Sequence, residues 1–425
     1  MKKIFFLLGL FVFQLALGQS FNEYFEDATY RLDYIFGGNI NQQKAYLQEV
    51  THIEKWHGRV DNLDSTPIQG QAQIRVYDQD TNKLIYVLPF GSLFQEWLTQ
   101  EQAHKQTRAF ENSFLIPKPH KDIKVEIVFF DSKRKEHLIS SEVIEVRDIL
   151  IRKSNPSDVH PFEVLHKADI EYPIKIAIVA EGYTADEMDN FWAKAKQTVQ
   201  HLFEHKAFGT HKDRIQIVAV PFISEDAQVS IPSAGIWKKT AVSSNFDTFY
   251  SQRYLTTSRV FQLHRILENI PYHHIVILAN TTTYGGGGIL NAYTLTTTEH
   301  AMFAPVVVHE IGHSIGGLAD EYFYPNDVFE ATSVQDVEPW EQNITNLVDF
   351  DSKWKTMLGK KVPIPTPKEK SEKYKIGVYE GLEGNGIYIP SYDCRMKHNK
   401  AKDFCPVCTK ALSDMIDYYT LPKNK

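Results

Sequence analysis

The chain predicts two domains of different class: an all-β sandwich over residues 19–152 and a mixed domain of strands and helices over 169–425, joined by a linker at 153–168. Three observations carry that division. Up to Ile149, apolar residues fall in strand-length runs separated by turn residues. From Asn155 to Pro161 the sequence turns polar and proline-bearing, as inter-domain connectors do. After Asp169, strand-like and helix-like stretches alternate, the texture of an α/β layer. The 425 residues suffice for both cores, and 43% hydrophobic with 23% charged content is that of a globular protein.

Residues 1–18 read as a signal peptide. Lys2 and Lys3 precede an apolar run from Ile4 to Leu17, and Ala16 and Gly18 occupy the −3 and −1 places of a cut before Gln19. The run is short for a spanning helix and interrupted by Gln14, which favours cleavage over the alternative of a retained anchor. No later stretch is apolar enough to span a bilayer, so an exported mature chain without an integral membrane span is expected. Its net charge of −7 and pI near 6.2 leave no basic excess to neutralise phosphates, which argues against nucleic-acid binding.

In the first domain, Gln71–Tyr77, Lys83–Leu88 and Lys124–Phe130 alternate or run apolar over strand lengths, with turn-rich pieces at Asp78–Asn82 and Pro117–Asp122. His52, His57 and His104 are scattered there and form no cluster. In the second, Ile174–Ala180 is a buried-type strand. Thr184 and Glu187 form a capping box that opens a helix running to about Phe203. Ile215–Pro221 and His274–Ala279 are further strands, and Phe246–Leu267 reads as largely helical. The proline- and lysine-rich stretch 362–375 reads as an exposed loop.

The most informative stretch runs from His309 to Glu321, HEIGHSIGGLADE. Two imidazoles four residues apart project from one helical face, so His309 and His313 can reach the same cation. Glu310 adjoins the first ligand, where it can handle a proton of attacking water instead of binding the metal. This pattern is that of a zinc peptidase. Pro305 suits the first turn of a helix beginning near Ala304, and Val306, Val307, Val308 and Ile311 suit its burial. Gly316 and Gly317 end it, since glycine takes the left-handed conformation readily. Asp320, three residues beyond Gly317, can then return as a third ligand, leaving the fourth place to solvent as catalytic zinc requires. Glu321 or a more distant acid are the alternatives.

The string HEIGHSIGGLADEY (309–322), with Cys394-Arg395-Met396 downstream, resembles the immunoglobulin A peptidase family, the igalysin branch of the metzincin zinc metallopeptidases. The resemblance implies a metzincin-like zinc peptidase domain of α+β or α/β class behind the β-sandwich. It also implies one catalytic Zn2+, Glu310 as general base, and a methionine turn beneath the metal, at Met396. In metzincins the third ligand usually stands ten residues after the first histidine. That place is Ala319 here, and Asp320 stands at eleven, as though one residue preceded the turning glycine. A hydrogen-bonding side chain often follows the methionine to stabilise the oxyanion. His398 stands there, with a plain surface histidine as the competing reading. Metzincins bind extended substrate on an edge strand before the zinc helix. Gly288–Thr296, with Gly288, Leu290, Ala292 and Thr294, is placed for that, and the run Gly285–Gly288 would let substrate backbone come close.

The expected function is a secreted endopeptidase acting on extracellular protein or glycoprotein substrates, immunoglobulin A or mucin-type proteins among them. One alternative is a non-catalytic surface- or glycan-binding protein on a peptidase scaffold; another is a hydrolase of non-peptide amides. Cys394, Cys405 and Cys408 are too few for a four-thiolate site, and a disulfide between Cys394 and one of the others is the expectation.

Overall fold

Long antiparallel strands dominate the first third of the chain. In a computed structural model that describes residues 20–322, 336–381 and 386–422, they are β1 (Phe25–Asn39), β2 (Gln42–Ile53), β3 (Ala72–Asp78), β4 (Leu84–Phe90), β5 (Arg108–Pro119), β6 (Ile123–Phe130) and β7 (Glu136–Ile144). The expected signal segment lies outside the described residues. Two four-stranded sheets result. The first has the order β5-β1-β2-β8, where β8 is Arg152–Lys153, and the second the order β4-β3-β6-β7. Alternation decides which faces meet. Tyr30, Leu32, Tyr34 and Phe36 of β1 pack in one cluster with Ile74 and Val76 of β3 and with Val125, Ile127 and Phe129 of β6. That is the predicted sandwich.

The connector is not merely a spacer. It contains β9 (Glu163–His166), which runs antiparallel at the edge of a six-stranded sheet ordered β13-β14-β12-β10-β11-β9. The parallel heart of that sheet is β10 (Ile174–Glu181), β11 (Ile215–Val220) and β12 (His274–Ala279), as the apolar runs predict. β14 (Tyr293–Thr297) continues it in parallel, and β13 (Gly286–Ile289) turns back antiparallel as the outer strand. The capping box at Thr184 and Glu187 is present, and the helix Met188–Glu204 follows it. The chain is thus of mixed α/β class, with a β portion ahead of an α/β portion.

One expected helix is largely missing. Only Val260–Ile266 is α-helical within the stretch 246–267. Glu181, fully buried at the end of β10, draws the preceding segment in: Val242 N, Ser244 N, Ser244 Oγ and Thr240 Oγ1 all donate to its carboxylate. Asn245 then bridges to Thr256, and Asp247, Phe249 and Tyr250 take positive φ. Satisfying a buried carboxylate outweighs helical periodicity here.

The sandwich is bound to the second sheet through shared core. Residues of β1, β3, β5 and β6 belong to the same apolar cluster as Val179, Val218, Ile275 and Ile277. A buried ion network adds to it: Arg31 reaches Asp33 at 3.0 Å and Glu268 at 2.9 Å, and Glu268 also meets Arg152 at 2.6 Å. No helix among the described residues is long and apolar enough to cross a membrane.

Candidate metal centre

The helix Phe303–Gly316 carries the site, packed against β13 and β14. Val306, Val307, Val308, Ile311 and Ile315 are buried, and His309, Glu310 and His313 bring their ligand atoms within 4.8 Å of one another. The sheet comes unusually close. A methyl group on Gly288 would lie 2.2 Å from the Glu310 carbonyl oxygen, and one on Gly286 would lie 2.8 Å from Glu310 Oε1. These glycines let the metal helix settle onto β13, so the close approach belongs to the helix and not to substrate.

Gly317, at φ 58°, takes the left-handed conformation that ends the helix, while Gly316 remains helical. Gly317, and not Gly316, therefore makes the turn. The turn does two things at once: it presents the Leu318 carbonyl to His313, and it carries Asp320 back to the imidazoles. His309 Nε2 and His313 Nε2 stand 3.1 Å apart. Asp320 Oδ1 lies 3.0 Å from the first and 3.3 Å from the second. Both Nδ1 atoms donate to backbone carbonyls, His309 to Arg395 O at 3.0 Å and His313 to Leu318 O at 2.6 Å. That fixes the tautomer, leaving each Nε2 lone pair aimed at the shared point.

Electrostatics say what belongs at that point. Burial works against a charged His313 ring, but the Asp320 carboxylate carries it up to about 9. His309 is likewise opposed by burial and raised by the adjacent Asp320 carboxylate. Burial alone would raise Asp320, yet the two imidazoles hold it well below the ordinary carboxylate range. Asp320 Oδ1 is a buried atom with no aligned hydrogen-bond donor. Two imidazole nitrogens and a carboxylate oxygen that converge within 3.0–3.3 Å form a set that could hold a metal cation. Glu310 stays beside this cluster. Burial lifts its carboxyl above the usual value, the two imidazoles pull it back, and Asp320 adds to the rise.

Beneath the helix lies the segment Cys394–Lys397. Met396 is fully buried, and a methyl on Gly312 would sit 2.6 Å from its sulfur, so the methionine packs directly under the turn between the two histidines. Met396 O accepts from Glu321 N at 2.9 Å, and Arg395 O is the His309 partner.

Other expectations fare differently. His398 is exposed and held within its own loop, with Nδ1 accepting from Ala401 N and Nε2 3.2 Å from Tyr392 O. Nothing in that arrangement directs it at an oxyanion. On this side of the sheet the edge strand is β13: Thr294 lies on the inner strand β14, its hydroxyl bonded to Ser314, while Leu290 and Ala292 sit in the β13–β14 turn and pack inward. Even β13 is partly covered, since Gly286 bridges to Tyr254. The disulfide is also absent: all three cysteines are free and buried. Glu321 does not join the histidines but turns toward those cysteines.

Three further residues complete the surroundings of the site. Asn343, fully buried, clamps Ala319 from both sides, its amide accepting from Ala319 N and donating to Ala319 O, each at 2.8 Å. Tyr322 stacks on His309, with ring centroids 5.9 Å apart. Tyr254 donates to Glu96 of the sandwich, where burial pushes the Glu96 carboxyl up to about 7. Tyr322 closes the string 309–322, whereas Asn343 and Tyr254 lie outside it.

Comparison with known proteins is consistent with this geometry. The chain matches the family described as IgA Peptidase M64 over residues 163–376, which includes His309–Asp320 and stops short of Met396. Residues 20–140 match the description Peptidase M64 N-terminus. No curated protein matches the chain.

Proposed function

Because the chain belongs to the IgA peptidase M64 family, a family of metallopeptidases acting on proteins, we propose that it is a secreted, metzincin-like zinc endopeptidase. His309, His313 and Asp320 hold the metal, Met396 supports it from below, and Glu310 is the general base. The observation that carries this reading is the meeting of two Nε2 atoms and one carboxylate oxygen within 3.0–3.3 Å, with both Nδ1 atoms already committed.

Zinc in that place supplies Lewis-acid polarisation of the scissile carbonyl and lowers the pKa of the attacking water. The protein's own part is proton handling and alignment. Glu310 takes the water proton and delivers it to the leaving amine. The Leu318 and Arg395 carbonyls keep the rings oriented, and Asn343 fixes the loop that brings Asp320. Extracellular proteins, immunoglobulin A and mucin-type glycoproteins among them, are the proposed substrates. Export rests on the Lys2–Gly18 segment.

The test is a mass-spectrometric survey of peptides released from a mixed extracellular proteome by the wild type and by Glu310→Ala. Internal cleavages made by the wild type and absent from the variant are expected. Identical peptide sets would overturn the endopeptidase reading.

A further inference from the structure

Behind the metal centre lies a second cluster. Glu321, Cys394, Cys405 and Cys408 present one carboxylate and three sulfurs, all within 4.8 Å of one another, and each of the four residues is at most 2% exposed. We propose that this cluster is a second, structural zinc site, whose ion ties the loop bearing Asp320 to the segment bearing Met396.

The distances favour a metal over a disulfide. Cys394 Sγ and Cys408 Sγ are 3.6 Å apart. A disulfide needs about 2.05 Å. Two thiolates about 2.3 Å from one tetrahedral zinc are about 3.8 Å apart. Cys408 Sγ lies 3.1 Å from Glu321 Oε1, so the carboxylate completes the set.

The groups are arranged as ligands are. Cys405 N donates to Cys394 Sγ at 3.3 Å, and Cys408 N donates to Cys405 Sγ at 3.5 Å. Such N–H bonds favour thiolates; Cys405 is the N-cap of the fifteen-residue helix Pro406–Thr420 and Cys408 lies in its first turn, where the helix dipole does the same. Glu321 supplies an independent sign. Asn343 holds its Oε1 at 3.0 Å, but Oε2 is buried with no partner. An orphaned carboxylate oxygen inside the core is costly unless something positive meets it. Four buried ligands leave no place for solvent, so the site is structural and not catalytic. Sulfur-rich donors at tetrahedral spacing select zinc over magnesium or calcium.

The two sites are coupled through the chain itself. Asp320 and Glu321 are consecutive, and Glu321 N donates to Met396 O at 2.9 Å. An ion joining Glu321 to Cys394 would lock both sides of the catalytic centre in place.

Elemental analysis and cobalt substitution of the full chain separate the two sites. The wild type should carry two zinc ions. His309→Ala/His313→Ala should keep one and, with cobalt, show the strong near-ultraviolet thiolate charge-transfer band. Cys405→Ser/Cys408→Ser should lose that band. The histidine variant leaves the cysteine cluster intact, so its result stands even if the cysteine variant fails to fold. A histidine variant with neither zinc nor the band would overturn the proposal, as would a disulfide mapped between Cys394 and Cys408 in native protein. Either result would leave the His309–His313–Asp320 reading untouched.

Discussion

At the scale of single residues, adjacent acids face opposite ways: Asp320 toward two imidazoles, Glu321 toward three sulfurs. Asn343 holds both, bracketing Ala319 and bonding Glu321 Oε1. Asn343→Ala should therefore weaken zinc binding about 10–100-fold while leaving Glu310 in place; competition with a metal indicator reads it, and an unchanged affinity would show that the loop needs no clamp. His264 and His274 make a separate residue-scale prediction. Burial holds each ring down to about 3, Arg31 adding to the effect at His264. Unfolded, each titrates near 6.5, so between about 6.5 and 3 the unfolded chain binds more protons and stability falls as pH falls. Each contributes up to about 1.4 kcal/mol per pH unit in that window. Urea midpoints at pH 7 and pH 5 should differ less in His264→Gln/His274→Gln than in the wild type, and equal differences would refute the assignment. What could be read from sequence at this scale was local. His309 and His313 are fixed by one helical turn, whereas Asn343, the Arg395 carbonyl and the cysteine cluster arrive through tertiary contacts that spacing does not encode.

Among elements, the decisive contact is the metal helix on β13. The glycine run was legible as an oddity, but its purpose was not, because only the packed sheet shows which backbone Gly288 touches. Gly288→Ala would place a methyl against the Glu310 carbonyl oxygen, within 2.2 Å. The backbone cannot yield without moving the helix, so a loss of about 1–3 kcal/mol is expected, together with weaker zinc binding. Thermal melts with and without zinc measure both, and a wild-type melt would contradict this packing. The same blindness explains the stretch 246–259. Its apolar spacing suits a helix, yet the four hydrogen bonds that Glu181 accepts from residues 240–244 start it on another path. The strands β3, β4, β6, β10, β11 and β12 were legible because their apolar runs are continuous or alternate cleanly.

For the whole molecule, the sandwich and the α/β sheet behave as one cohesive body, sharing apolar core and the Arg31–Glu268–Arg152 network. Glu268→Ala removes the partner of Arg31 Nη1 but leaves Asp33 in contact, so a cost on the order of 2–3 kcal/mol is expected, below that of stripping a buried ion completely. A single unfolding transition shifted to lower denaturant is the expected form; two separated transitions would mean that the sandwich and the sheet unfold independently. The measurement that bears most directly on the central claim is casein cleavage by chelator-stripped, full-length protein before and after zinc is returned, with Glu310→Gln alongside. The wild type should fall silent and recover with zinc, while Glu310→Gln takes up zinc and stays silent. Undiminished cleavage by stripped protein, or full activity in Glu310→Gln, would contradict the claim.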